Sequence, residues 1–256
     1  MKLGKKAKER DAQDAFLVEG VRMMREVPSG ELLEAWVSQS FARDPAHRED
    51  LQHLERLGVT PELVTDEVFR ACADTRTPQG ILGVVRQRHY RPEDLLGDGT
   101  WPALVMVLEN LQDPGNLGTI LRTGEGAGVT GVLMSRGCAD LYNPKVTRAT
   151  MGSIWRMPFV YTEDFFGSLH WLKEQGVTLC AAHLQGAVDY DAPDYGGPSA
   201  FMIGNEGNGL SDEAARMADV RIRIPMRGSV ESLNASIAAA VLMYEALRCR
   251  RAKGIG

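Results

Sequence analysis

Apolar residues fall in short blocks through the second half of the chain, unbroken in ALVMVL (103–108) and AFMIG (200–204) and interrupted by single polar residues in VTGVLMS (129–135), VTLCAAHL (177–184) and VRIRIP (220–225). Blocks of this length, bounded by Gly, Pro and acidic residues, predict strands buried on both faces. Between them lie helical stretches: DPGNLGTILRTGEGAG (113–128) as a loop plus helix, DFFGSLHWLKEQG (164–176), a short helix from Ser211, and a last helix from about Glu231 to Arg250. In that last helix Leu233, Ile237, Ala240, Val241, Tyr244 and Leu247 share one side and predict its core stripe, with Ser232 as candidate cap. Strands alternating with helices predict an α/β fold with a parallel sheet covered on both faces.

The first half is a less regular α/β pattern. LLEAWVSQSF (32–41) and GILGVVRQRHY (80–90) read as strand-like. PAHREDLQHLERLG (45–58) sets Leu51, Leu54 and Leu57 on one helical side, and Thr65 is placed to cap a helix in TDEVFRACAD (65–74). RPEDLLGDGTWP (91–102) concentrates Pro, Gly and acids and is the best candidate linker. Two domains are expected, 1–95 and 96–256.

Composition narrows the class. Of 256 residues 44% are hydrophobic and 25% charged, so a disordered or fibrous chain is excluded. The net charge of −5 argues against unselective polyanion binding and leaves room for local basic patches. Such patches are the amino end (Lys2, Lys5, Lys6, Lys8, Arg10) and the tail RCRRAKG (248–254), each either an RNA contact or a solvated chain end. Arg76, Gln79, Arg86, Arg88 and His89 are further candidates for RNA contact. Cys72, Cys138, Cys180 and Cys249 form no CxxC or Cys/His pair, so no metal site is expected and reduced thiols are. The apolar runs fall far short of the ~20 residues that span a bilayer, and no signal-peptide pattern is present; a soluble cytoplasmic protein is expected.

GAGVTG (126–131) matches the dinucleotide pattern GxGxxG, but here a helix ends and a strand begins, the reverse of the order that brings a helix N-terminus to a pyrophosphate. It reads as a helix stop. Three other segments sit just past the carboxyl ends of predicted strands, where ligands collect in open parallel sheets. In NLQDPGNLGTILRT (110–123), Asn116 falls in the turn before the helix and Arg122 two turns in. An Arg among Leu117, Ile120 and Leu121 needs an anion or a polar cleft; a helix cap and a surface ion pair are the plainer alternatives. In IGNEGNGLS (203–211), Gly204, Gly207 and Gly209 permit close backbone approach to a ligand with Glu206 among them, or simply a tight turn with a solvated Glu. In IPMRGSVESLNASIAAAVLMYEAL (224–247), Ser232 and Asn234 stand near the positive end of a helix, as site residues or as caps.

In this order and spacing the three segments resemble the SpoU/TrmH family of RNA 2′-O-ribose methyltransferases, of the SPOUT class. The resemblance covers roughly 101–250, with YNPKVTRATMGSIWRMP (142–158) sharing the family's look. KAKERDAQDAFLVEG (6–20) and RTPQGILGVV (76–85) resemble, more loosely, the small substrate-binding domain fused to many members. The resemblance implies a parallel-sheet domain with a C-terminal trefoil knot, preceded by a small α/β RNA-binding domain. It also implies a homodimer, and S-adenosylmethionine held largely by backbone groups at Gly204, Gly209, Ile224, Leu233 and Asn234. Asn116, Arg122, Glu206, Ser232 and Asn234 carry over as the family's motif residues. In the family picture the residue at Arg122 activates the ribose hydroxyl; since arginine stays protonated at accessible pH, clamping a phosphate and polarising the hydroxyl is the alternative. Glu206 is expected to orient Arg122 or its own loop. The DPGN form and the accessory domain look more like ribosomal RNA members than tRNA members. The same reaction on tRNA and a non-catalytic RNA-binding assembly protein are the other readings.

Overall fold

The computed structural model describes residues 3–185 and 187–255, so Lys2 of the basic amino end lies outside the described residues. The chain divides into two compact units, one formed by 1–88 with 140–155 and the other by 89–139 with 156–256.

The first unit runs α1 (Ala7–Gln13), β1 (Ala15–Glu19), α2 (Val21–Arg25), β2 (Leu32–Ser38), α3 (Gln39–Arg43), α4 (Arg48–Arg56), β3 (Glu62–Val64), α5 (Asp66–Cys72) and β4 (Ile81–Arg86). Its four strands are ordered β1-β4-β2-β3, antiparallel except for β2 with β3. Leu17, Phe69, Leu82 and Val84 build its core. Thr65 caps α5 by accepting from the Val68 amide. Of the three leucines set on one side of α4 only Leu54 is buried.

The second unit opens with a 3-10 turn at Pro92–Leu96, so the linker-like composition of 91–102 marks an ordered segment whose Leu95 is fully buried. It continues with β5 (Leu104–Leu108), α6 (Pro114–Ala127) and β6 (Gly131–Ser135). The intervening 140–155, with α7 (Pro144–Thr150), groups with the first unit. Phe16 meets Tyr142 and Trp155 there at ring-centroid distances of 4.6 and 5.5 Å, an aromatic cluster that local pattern does not announce. The second unit resumes with β7 (Phe159–Thr162), α8 (Phe165–Glu174), β8 (Thr178–Ala182), β9 (Val188–Asp189), β10 (Ser199–Ile203), α9 (Asp212–Met217), β11 (Val220–Arg223) and α10 (Ala235–Ala252).

All pairings in this seven-stranded sheet are parallel, in the order β7-β6-β5-β10-β8-β11-β9. Every residue of β5 and β10 is buried, as their unbroken apolar blocks require. Gly128 stops α6 in the left-handed conformation (φ 79°) and β6 follows, so GAGVTG is a helix stop. Partial burial pushes the Cys138 thiol up; burial, then the Asp219 carboxylate, pushes the core thiol of Cys180 up to about 12, so neither is a ready thiolate. Among the described residues no helix is long and apolar enough to cross a membrane.

α10 departs from expectation twice. It starts at Ala235, capped by Asn234, and Ser232 and Leu233 lie in the loop before it. Its buried face is Ser236, Ala239, Leu242, Met243 and Ala246, whereas Ile237 and Tyr244 of the expected core stripe are 50% and 51% exposed. The inner face packs on α6, where Met243 and Val129 come close to Gly124, so a Cβ there would have to displace them slightly.

Candidate active site

From β5 the chain steps through β6 to β7 on one side; β10, β8 and β11 lie on the other. The strand order therefore reverses between β5 and β10, the place where an open parallel sheet leaves a crevice at its carboxyl edge. The loops leaving these two strands are 109–113 and 204–211, and they are tied together. Glu206 Oε1 accepts from the Asp113 amide at 2.8 Å and from Asn116 Nδ2 at 3.0 Å, and Oε2 from the Gln112 amide at 3.1 Å. Partial desolvation raises the Glu206 carboxyl, but these donated hydrogen bonds outweigh it and hold it below the usual carboxylate range.

Asn116 lies in the first turn of α6, one turn later than the spacing suggests, because Asp113 caps the helix by accepting from the Asn116 amide at 2.8 Å. Its side chain is buried and works at both ends. Nδ2 donates to Glu206, and Oδ1 accepts from Asn234 Nδ2 at 2.9 Å. Asn234 in turn caps α10, accepting from the amides of Ser236 at 2.9 Å and Ile237 at 3.3 Å. One chain of hydrogen bonds thus joins the three segments singled out in the sequence. Asn234 caps α10 and also donates to Asn116, and Glu206 holds the loop of Asn116, with no bond to Arg122 among the described residues.

The glycine loop is shaped by its backbone. Asn205 and Gly209 exchange two backbone hydrogen bonds, at 3.0 and 2.8 Å, and the Asn205 side chain accepts from Gly207 and donates to the Asn110 carbonyl. A Cβ on Gly204 would stand 2.0 Å from Gly209 C and 2.1 Å from Leu210 N, so only glycine fits. Beside this loop a cavity of about 440 Å³ opens at the ends of β8, β10 and β11. Gly204, Gly209, Ile224 and Leu233 line it, as do Glu206 and Ser232; Asn234 does not, although its neighbours do. Arg122 does not reach it. It sits on the exposed face of α6 and makes no hydrogen bond or ion pair among the described residues.

The domain model of the SpoU rRNA Methylase family matches residues 103–244, more than half of the chain. The chain belongs to this family. A second model, the MRM3-like substrate binding domain, matches residues 1–83. Among curated relatives, the Bacillus subtilis 23S rRNA (guanosine(2553)-2′-O)-methyltransferase RlmP is 31% identical over 93% of this chain and 90% of its own. Among solved structures, the SpoU methyltransferase AviRb from Streptomyces viridochromogenes, in complex with AdoMet, superposes with a TM-score of 0.86 at 26% identity, covering 97% and 95% of the two chains. The TrmH/SpoU tRNA modifying enzyme from A. aeolicus matches only 60% of this chain and 80% of its own, with a TM-score of 0.53 at 27% identity.

Beside the glycine loop of this SpoU family chain lies a buried carboxylate that the sequence motifs do not include. Glu109, at the end of β5, is 6% exposed and accepts from the amide and hydroxyl of Ser211, both at 2.7 Å, fixing the far end of the glycine loop. An acid directly after a fully apolar strand is the signal that marks it. Several basic candidates for RNA contact turn out to hold the fold. Arg10 is buried against the Leu3 carbonyl and Asp140, and Arg88 binds Glu31 and the Trp155 carbonyl. In the tail, Arg250 is buried and donates to the carbonyls of Tyr195, Pro102, Ala103 and Gly197, while Arg248 and Lys253 pair with Glu245 and Asp194. Gln79 accepts from the Val21 amide.

Proposed function

We propose that this chain transfers the methyl group of S-adenosylmethionine to a ribose 2′-hydroxyl of ribosomal RNA. The observation that carries this reading is the hydrogen-bonded chain Glu206–Asn116–Asn234, set beside a glycine-walled cavity at the reversal of strand order. Ribosomal RNA is favoured over tRNA because likeness to the 23S rRNA relative extends through the first unit, whereas the tRNA enzyme matches 60% of the chain.

The cavity fits the cofactor. Its volume is in the range of small-molecule sites, Ile203, Leu210, Ile222 and Leu242 give it apolar surface for a nucleoside, and Gly204 and Gly209 bring backbone polar groups to its wall. Gly204, Gly209, Ile224 and Leu233 would hold the group; when bound, it supplies an electrophilic methyl carbon on a sulfonium. The chain's own task is positioning and proton handling. Asn116 and Asn234 fix the reacting loops, Glu206 holds the first of them through its ionised carboxylate, and Ser232 closes the cavity rim. Arg122 clamps the phosphate beside the target ribose bidentately and polarises the hydroxyl, whose proton passes to solvent.

A homodimer completes the site in this reading. Ile237 and Tyr244 with the half-buried Val241 make an apolar face on α10, and the Tyr244 hydroxyl lies beside Gly126, one turn along α6 from Arg122. A second copy seated there brings its own surface to Arg122. The reading includes a trefoil knot formed by 204–210 and 224–234, supported by the placement of β10 between β5 and β8 and by the likeness to SpoU structures. The first unit serves as the RNA-binding domain, and the substrate implies a cytoplasmic protein.

The test is incubation with methyl-labelled S-adenosylmethionine and unmodified 23S rRNA or tRNA in parallel, then nuclease digestion and mass spectrometry. A 2′-O-methylnucleoside in the ribosomal pool is the expected result. Label on a base, label in tRNA alone, or no label in either overturns the reading.

A further inference from the structure

The first unit contains a second, smaller cavity of about 100 Å³. Its apolar wall comes from Leu17, Met23 and Leu82, all buried core residues. Its polar wall comes from Lys5, Glu19, Asp74 and Arg148. Glu19 is 8% exposed, with its carboxylate oxygens engaged by the Asp74 amide at 2.9 Å and by the Thr75 hydroxyl. Arg148 Nη2 donates to Asp74 at 2.8 Å, whereas Nη1 is buried and has no acceptor among the described residues.

A buried guanidinium N–H without an acceptor is rare, because leaving it unmade forfeits a charge-assisted hydrogen bond. The occupant that satisfies it brings an acceptor. Two carboxylates face the two cations, so the wall is charge-balanced and a phosphate would meet repulsion from Glu19 and Asp74. A flat, neutral group with an aromatic body suits the apolar wall and the Met23 thioether, and a ring carbonyl or ring nitrogen suits Nη1. Unstacked bases of single-stranded RNA have this chemistry, and proteins read them in such pockets. We infer that this cavity takes one unpaired nucleobase of the RNA substrate. The inference rests on the RNA-methyltransferase reading for the identity of the substrate.

Two variants of the full chain test it. Arg148→Gln removes the free donor, and Ala71→Leu enlarges a side chain lining the cavity from the exposed side of α5. Binding to unmodified 23S rRNA is measured by filter retention over a salt series, S-adenosylmethionine affinity by calorimetry, and folding by thermal unfolding. Both variants are expected to bind RNA at least fivefold more weakly with the salt slope unchanged, since a lost base contact releases no counterions, and to bind S-adenosylmethionine like the parent. A salt slope reduced by about one for Arg148→Gln reveals a phosphate contact and overturns the base assignment. Unchanged RNA affinity in both variants overturns the pocket altogether, as does a parent chain that does not retain the RNA. Because binding is read separately from methyl transfer, a parent chain that binds RNA but transfers no methyl group refutes the proposed activity and leaves the pocket to be judged by its variants.

Discussion

The two units put their charged and amide side chains to opposite uses. In the second unit the polar residues at the sheet's carboxyl edge bond to one another across three loops, Glu206 to Asn116 to Asn234, beside a cavity that Glu206 lines. In the first unit, which matches a substrate-binding domain, two of the cations expected to contact RNA are spent on the fold: Arg88 on Glu31 and Trp155, and Arg10 on Asp140 and Leu3. A basic residue in a substrate-binding unit is therefore a candidate contact only once its hydrogen bonds have been counted.

Substitutions on either side test this contrast. Gly204→Ala has the largest expected effect, since its Cβ meets backbone 2.0 Å away; it destabilises the chain by about 3 kcal/mol and abolishes S-adenosylmethionine binding, read by thermal unfolding and calorimetry. Arg122→Ala separates site from fold. It lowers kcat/KM on ribosomal RNA about 100-fold, or ~2.7 kcal/mol, with stability within about 0.5 kcal/mol of the parent, because an exposed side chain without partners is lost. Arg122→Lys at near-parental turnover would refute the bidentate clamp. Arg88→Ala does the reverse, costing about 2 kcal/mol of stability through its lost charge-assisted bonds while S-adenosylmethionine affinity stays unchanged.

The smallest effect is a pH dependence. The folded Glu206 carboxyl lies below its ordinary value, so its ionised form contributes stability that is fully present above the ordinary glutamate range and lost as pH falls through the lower folded value. Glu206→Gln is expected to flatten the stability curve in that acidic window by no more than about 1 kcal/mol, because water screens the exposed carboxylate. An identical slope in both proteins would show that the carboxylate's charge is not what holds the loop.

Much of the second unit was legible from one-dimensional pattern. Strands buried on both faces write themselves as unbroken apolar blocks, and the caps at Thr65 and Ser211 are local hydrogen bonds that neighbouring residues specify. The start of α10 was not legible, since Ser232 and Asn234 are both good caps and the choice was made by a partner 118 residues away, Asn116. Its inner face was misread because hydrophobicity marks apolar surface without saying what covers it: Ala239 and Ala246 pack inward, and Ile237 and Tyr244 face out. The grouping of 140–155 with the first unit depends on Phe16 meeting Tyr142 and Trp155, contacts over more than a hundred residues that no periodicity encodes. Arg122 stands apart from the other motif residues in this chain for a similar reason, as it faces outward beside the apolar side of α10.

The direction of the bonds in the Glu206–Asn116–Asn234 chain has a consequence of its own. A carboxylate only accepts, so Asn116 must turn its amide nitrogen to Glu206 and its oxygen to Asn234; Asn234 must then offer its nitrogen, leaving its oxygen for the helix amides. Every dipole points the same way, and no amide can be flipped without breaking a contact on each side. Amides do not relay protons, so the chain is an insulator to acid and base and a conductor of alignment. The negative charge at Glu206 polarises each link in turn and sets the orientation of the group at the head of α10, on the far side of the crevice.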